Sequence, residues 1–355
     1  MRDESSRRVP RKFFIGEMLM KLKDIGEFGL IALINKIIEE EQGPSPRVMV
    51  GVGDDAAVVE TPKGGKLLLT TDTMVENVHF NPAYVHAEDV GYKAMASNIS
   101  DIAAMAGTPD FAIVTLGLRP DLDVEYIKEL YRGLLSAAGE YGVLVVGGDL
   151  TKSSKLFVTV ALTGRTTPSA MRLRSYAKVG DAILLTGRVG GSAAALALIK
   201  AGKKPGRDYP RSLYNRHMRP VPRVAEAITA ANAGARAIQD VSDGLIADLS
   251  HICRESGVGA RVYLERVPVF SERTKVKGMS EEFIQKLALT GGEDYELLIT
   301  APVSHFHKIK AAVEEETGTD VTMIGEVTEQ TGGIEIIDSH GRSVFKKQSG
   351  HDHFV

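Results

Sequence analysis

Gly51-Val52-Gly53-Asp54-Asp55-Ala56-Ala57-Val58-Val59 sets two adjacent carboxylates after a Gly-x-Gly turn, at the end of the apolar run Val48, Val50, Val52. Three readings compete for it. The segment matches the G-x-G-x-x-A half of a dinucleotide fingerprint, in which backbone N–H groups at a helix N-terminus meet a bare pyrophosphate. Asp54 and Asp55 would repel that phosphate unless a cation lay between, and 56–59 reads as a strand rather than a helix opening. A plain acidic turn is the second reading, because Asp-Asp after Gly is ordinary turn chemistry. The third is a loop that holds a cation, and it gains from repetition along the chain.

The design recurs as an apolar or small-residue run ending in Gly, Ser or Thr beside an acid. It is seen at Thr70-Thr71-Asp72-Thr73, Asn98-Ile99-Ser100-Asp101, Gly147-Gly148-Asp149-Leu150, Asp240-Val241-Ser242-Asp243 and Gly291-Gly292-Glu293-Asp294. A weaker instance is Asp352-His353-Phe354. The expectation is that these carboxylates converge on magnesium ions that hold a polyphosphate. A carboxylate after a buried strand is costly unless a cation compensates it. Hydroxyl and carboxylate oxygens are the hard ligands magnesium takes. Asp72, behind Leu67–Leu69 and two threonines, is the clearest case, with Thr70 and Thr71 as further oxygen donors. Asp101 stands three positions after Asn98 on a helix face of small residues, where a solvated charge is out of place. The glycines before Asp149 would let backbone N–H groups approach a ligand. Asp240 and Asp243 flank Ser242 ahead of a helix, where one could be an N-cap.

A chain of 355 residues exceeds one typical core, so two domains are expected. A net charge of −3 argues against a general nucleic-acid binder. One cysteine, Cys253, excludes a disulfide framework and a cysteine-based zinc site, and suits a reducing cytoplasm. No apolar run is long enough for a membrane span. The basic start (Arg2, Arg7, Arg8, Arg11, Lys12) is interrupted by Gly16, Glu17 and Lys21 and reads as an extension rather than a signal segment.

Periodicity predicts helices over 27–40, 88–106, 124–141, 190–201, 224–233, 246–256 and 306–317. Strands are predicted over 48–52, 56–60, 66–71, 111–118, 143–146, 156–164, 182–186, 262–264, 295–300 and 334–337. Strand 143–146 reads as buried, and 203–222 reads as a polar loop. Helices and strands mix without strict alternation, which predicts an α+β fold of mixed layers. The shift to Thr, Pro, Ser and Arg over 165–180 places the domain boundary. The expected parts are an extension over 1–24, an N-terminal domain over 25–166 and a C-terminal α/β domain over 167–355.

There is no Gly-x-x-x-x-Gly-Lys-Ser/Thr loop and no protein-kinase motif set. Taken in order, GVGDDAAVV, TTDTMVENVHF, NISDIAAMAGTP, VVGGDLT, DVSDGLIADL and TGGEDYELL resemble the thiamine-monophosphate kinase family. That family lies within the ATP-binding superfamily of aminoimidazole ribonucleotide synthetase and selenophosphate synthetase. The resemblance runs from Gly26 to about Phe354. It implies ATP-dependent, magnesium-assisted phosphorylation of thiamine monophosphate to thiamine pyrophosphate, and a homodimer whose N-terminal strands pair into a barrel. Residue by residue it implies Asp55, Thr70, Thr71, Asp72, Asp101, Asp149, Asp240 and Asp243 as magnesium ligands. It implies Gly148, Asp149, Arg174 and Ser242 as ATP contacts, and His79 and Glu293 as contacts to thiamine monophosphate. His351 stands where the family usually carries an aromatic beside the thiamine. An aminoimidazole ribonucleotide synthetase-like activity is the nearest alternative. A nucleotide sensor without turnover and a metal-dependent phosphohydrolase are others. A selenophosphate synthetase would need a reactive thiol near its N-terminus, which this chain lacks.

Overall fold

The computed structural model describes residues 22–276, 278–329 and 333–345. Helix α1 (Leu22–Gln42) carries a kink at Gly26, whose φ of 64° lies in the left-handed region glycine adopts without a Cβ penalty. Helix α1 and the residues up to Pro44 belong to one unit, and the described residues from Ser45 on belong to another.

The first half of that unit builds a six-stranded sheet. Its elements are β1 (Val48–Val50), β2 (Ala57–Glu60), β3 (Lys66–Val75), α2 (Ala87–Ala104), β4 (Thr108–Leu118), α3 (Val124–Glu140), β5 (Leu144–Lys152) and β6 (Phe157–Thr166). The strand order is β1-β2-β3-β6-β4-β5. Only the β4–β5 pair is parallel. Strand β4 shows how the layers arise. Ala112, Val114 and Leu116 alternate inward and are buried, while Phe111 and Ile113 point the other way and are exposed. The inward set packs in one core with Val90, Met95 and Ile99 of α2 and Leu130 and Leu134 of α3. The two helices touch backbone to backbone. A Cβ at Gly91 would lie 1.8 Å from the Leu130 carbonyl oxygen, and one at Gly133 would lie 1.7 Å from that of Glu88. Only glycine fits either position.

The second half follows as β7 (Asp181–Thr186), α4 (Gly191–Lys200), α5 (Arg211–Met218), α6 (Val224–Ala233), β8 (Ile238–Asp240), α7 (Leu245–Ser256) and β9 (Val258–Tyr263). It continues with α8 (Glu281–Thr290), β10 (Leu297–Pro302), α9 (Phe306–Thr317), β11 (Val321–Glu329), β12 (Ile334–Ile337) and β13 (Ser343–Phe345). Its seven-stranded sheet runs β13-β12-β9-β11-β7-β10-β8. Strand β7 is buried throughout because both faces are covered, so its apolar run does not alternate. Ala182 and Leu184 pack with Ala227, Ala230, Ile309 and Val313 of α6 and α9. Ile183 and Leu185 pack with Leu245 and Leu249 of α7 and Ala288 of α8. The mixed α+β class is as the sequence predicts, and the strands form two sheets.

Four local expectations are corrected. Strand β5 does not end before Gly147 but runs through Gly147-Gly148-Asp149 to Lys152, and it is an exposed edge strand rather than a buried one. Asp72 lies inside β3 rather than at its end. The polar stretch 203–222 contains helix α5, whose Leu213, Tyr214, His217 and Met218 form a buried stripe. Arg211, Arg216 and Arg219 around that stripe mask it in the sequence. The strand placed over 295–300 begins only at Leu297, because Glu293 and Tyr295 have φ of 64° and 52°, outside strand geometry.

Candidate active site

Two features of the backbone create the site. Strand β2 pairs with β3 only from Lys66 to Leu69, whereas β6 covers β3 to Val75. The outer edge of 70–75 therefore has no strand partner, and α2 supplies one. Asn98 Oδ1 accepts the Asp72 N–H at 3.0 Å, while its Nδ2 donates to the Ala94 carbonyl at 3.0 Å. The second feature is the contact of two glycine-bearing loops. A Cβ at Gly292 would lie 2.4 Å from the Ser242 carbonyl oxygen, which instead accepts the Glu293 N–H at 2.7 Å.

Asp55, Asp101 and Asp240 meet at this junction, each offering a carboxylate oxygen within 4.8 Å of the others. They come from the loop before β2, from α2 and from the end of β8. Thr70 Oγ1 donates to Asp101 Oδ2 at 2.5 Å, and Ser100 Oγ donates to Asp240 Oδ2 at 2.5 Å. Asp240 Oδ1 is buried and has no hydrogen-bond partner among the described residues. Arg174 fixes the acidic loop: its Nη2 donates to Asp55 Oδ1 at 2.6 Å and its backbone N–H to Asp54 Oδ2 at 3.1 Å. Asp54 therefore faces Arg174 and its own loop rather than the trio. Behind Asp243, Asp248 of α7 holds the turn, accepting the N–H groups of Asp243 at 3.0 Å and Gly244 at 2.9 Å.

The charges are frustrated without a cation. Burial, reinforced by Asp72, Asp240 and Asp55, pushes the Asp101 carboxyl well above its ordinary value. Burial and then Asp55 push Asp240 up to about 8, and burial and then Asp55 push Asp54 up to about 7. Asp248 is also pushed up, by burial and then Asp243. Convergent hard oxygens, an orphaned buried carboxylate oxygen and mutual repulsion are what a divalent cation relieves, so these residues fit magnesium.

Beside the trio lies a second group. Glu293 pairs with Lys93 Nζ at 2.8 Å and faces His217 Nδ1 at 3.4 Å. His79 lies close enough to act on Glu293, and its Nδ1 accepts the Val75 N–H at 2.9 Å. Tyr295 is buried, and Glu293, Asp72, Asp240 and Asp101 all act on its phenol, which burial first raises well above its ordinary value. Asp294 turns away, accepting from the Gly190 and Ser192 N–H groups at 2.6 and 2.9 Å at the start of α4.

Of the residues expected from the sequence, Asp55, Thr70, Asp72, Asp101, Arg174, Asp240 and Asp243 thus gather in one place, with Ser242, His79 and Glu293 next to it. The Thr71 hydroxyl is bonded to the Val160 carbonyl at 3.0 Å, on β6. Gly148 and Asp149 do not join the trio within one chain. The register Asp72–Val160–Val114–Gly148 puts them three strands away, roughly 14 Å at ordinary strand spacing. A Cβ at Gly148 would lie 1.8 Å from the Val114 carbonyl oxygen, so strand approach accounts for that glycine. His351 lies outside the described residues, as do Asp352–Phe354. Lys93, Ser100, His217, Asp248 and Tyr295 were not singled out from the sequence. The signal for Lys93 was a lone cation among small residues on a helix whose other face is apolar.

The chain matches the models for the AIR synthase related protein N-terminal domain over residues 53–166 and C-terminal domain over 178–338. It is 37% identical over 316 residues to a thiamine-monophosphate kinase of Aquifex aeolicus, covering 88% of this chain and 95% of that one. It is 36% identical over 313 residues to one from Bacillus subtilis, covering 86% and 94%. The chain belongs to the thiamine-monophosphate kinase family. A solved structure of that family, described as AaThiL complexed with AMPPCP and TMP, superposes with a TM-score of 0.81 at 36% identity, over 95% of this chain and all of that one. The hydrogenase maturation protein HypE of Escherichia coli, at 18% identity and a TM-score of 0.65, shares the fold.

Proposed function

We propose that this protein transfers the γ-phosphoryl group of ATP to thiamine monophosphate, giving thiamine pyrophosphate and ADP. The observation that carries the reading is the Asp55–Asp101–Asp240 trio with its unpartnered buried oxygen, in a chain of this family. The kindred structure described with AMPPCP and TMP supports both substrates.

Asp55, Asp101 and Asp240 would hold magnesium, with Asp72, Asp243 and Thr70 adjoining. Such ions, when bound, screen the facing phosphates and orient the transferred group. The acceptor is a phosphate monoester, whose second pKa of about 6 leaves it largely ionised at neutral pH. No general base is needed, and transfer is direct and in line. Arg174 keeps Asp55 aimed at the cations and stands ready for the nucleotide phosphates. Ser242, on the turn braced by Asp248, contacts the nucleotide. His79 and Glu293 take the thiamine end.

The working unit is a homodimer. Phe111, Ile113, Leu144, Val146 and Leu150 leave a large apolar area exposed on the first sheet and its β5 edge. A second copy covering that area accounts for an edge strand with so little burial. It also gives Gly148 and Asp149 a nucleotide to contact from across the interface. Among the described residues no helix is long and apolar enough to cross a membrane, and the single cysteine is free and buried.

The test is ATP turnover with magnesium, with and without thiamine monophosphate, with products identified. Equal amounts of ADP and thiamine pyrophosphate are expected. Hydrolysis of ATP at the same rate without the thiamine compound would sink the reading.

A further inference from the structure

Lys93 sits midway along α2 with 1% of its side chain exposed, and its ammonium donates to Glu293 Oε1 at 2.8 Å. His217, from α5 and 2% exposed, brings Nδ1 to 3.4 Å from Glu293 Oε2. The same nitrogen lies 2.9 Å from Ser192 Oγ and 3.4 Å from Lys93 Nζ. Helices α2, α4 and α5 and the loop before β10 therefore meet at four polar side chains. Glu293, 30% exposed, is the least buried of the ionisable three. Its backbone is held at φ 64°, the left-handed region that disfavours a side chain. A buried ion pair on a strained backbone is a poor way to gain stability, because desolvation offsets most of the attraction. Held geometry at the site is the better account.

Two opposed effects set the protonation pattern: burial pulls the Lys93 ammonium below its ordinary value, and Glu293 beside it holds it up. Burial and then the neighbouring Lys93 pull His217 down to about 3, so its imidazole is neutral at physiological pH. Burial alone would raise the Glu293 carboxyl, yet the Lys93 ammonium beside it brings it down to about 2. Glu293 is therefore an anion with one oxygen anchored by Lys93 and the other turned toward His217.

We propose that Lys93, backed by His217, is a positioning residue that fixes the Glu293 carboxylate to receive the cationic heteroaromatic part of the acceptor. The inference rests on the reading of Glu293 as a contact to thiamine monophosphate. The acceptor carries a permanent positive charge on its thiazolium ring and an amino group on its pyrimidine, and either is met by a fixed anion. Lys93 sets the affinity for the acceptor and leaves the nucleotide side untouched.

The experiment compares wild type, Lys93→Met, Glu293→Gln and the double variant Lys93→Met/Glu293→Gln, with KM measured separately for thiamine monophosphate and ATP from pH 6 to pH 8. The groups facing Glu293 are Lys93, His217, His79 and Tyr295, with Lys200 behind His217. Losing Lys93 leaves the carboxylate to burial, so its pKa rises and it gains a proton as the pH falls. Lys93→Met is expected to raise the acceptor KM at least tenfold, more at pH 6 than at pH 8, with the ATP KM within twofold of wild type. The double variant buries no unpaired charge, so it stays measurable even if Lys93→Met does not fold. It should keep the raised acceptor KM, by the same factor over wild type at pH 6 and at pH 8. An unchanged acceptor KM in Lys93→Met, a parallel rise in both KM values, or a double variant restored to wild type overturns the inference. An unchanged acceptor KM in Glu293→Gln overturns the underlying contact instead.

Discussion

Asp240→Asn should stabilise the metal-free protein while disabling it. Asp240 is fully buried, its Oδ2 receives a 2.5 Å bond from Ser100, and its Oδ1 has no partner among the described residues. Burial, then Asp55, lifts its pKa from 3.8 to about 8. At about 1.4 kcal/mol per pH unit, ionising it in the fold at pH 8 costs on the order of 5 kcal/mol without a cation. The sign follows from proton uptake. Between the unfolded value of 3.8 and the folded value of about 8, the native state holds a proton that the unfolded chain has released. Stability of the metal-free protein is thus lost as pH rises through that window. Asparagine keeps the shape and can accept from Ser100 but carries no charge, so this contribution to the slope disappears. Thermal unfolding in EDTA at pH 8 should show the variant melting higher than wild type by roughly 5 °C. At pH 5 the two should nearly coincide. Magnesium should raise the wild-type melting temperature at pH 8 and raise the variant's much less. Turnover of the variant should fall about 100-fold or more, the scale for removing one preorganised electrostatic group. A variant that melts below wild type in EDTA at pH 8, or that magnesium stabilises equally, would refute the argument that this carboxylate is held in tension for a cation.

Three further outcomes are expected. Arg174→Met releases Asp55 from its 2.6 Å bond, and should raise the ATP KM at least tenfold while the acceptor KM holds, as read by separate substrate titrations. Gly133→Ala drives a methyl to within 1.7 Å of the Glu88 carbonyl oxygen, and should destabilise the protein by about 3 kcal/mol in urea unfolding, near the upper end for overpacking. Leu150→Asp places a charge on the exposed β5 edge, and, on the proposed dimer, light scattering should find wild type at twice the monomer mass and the variant at the monomer mass.

Much of the architecture is legible in the chain because it depends on local pattern. The period of α2, the alternation in β4, and the apolar run of β7 with its covered faces follow from residue order. So do the helices Val224–Ala233 and Phe306–Thr317, which end where the sequence reading ends them. The acidic motifs were legible too, because each pairs a carboxylate with small residues that leave room around it. Helix α5 was hidden because its buried stripe is short and framed by arginines. Strand β5 was misread as buried because its Val-Leu-Val-Val run looks the same whether or not a layer of the same chain covers it.

By itself, the sequence determined that acids alternate with strands and glycines, that no phosphate-binding P-loop is present, and to which family such an ordered set belongs. Only the tertiary structure decided which acids share a site. Asp55, Asp101 and Asp240 are far apart in the chain, and their oxygens meet within 4.8 Å because α2 packs against both β3 and β8. Asp149 has the same local signature as Asp101, yet strand order carries it roughly 14 Å away. Nor could the chain show that Lys93 reaches Glu293, which depends on the second half packing over α2. A motif records what a residue can do, whereas long-range packing sets the distances over which charges act, and electrostatic chemistry depends on those distances.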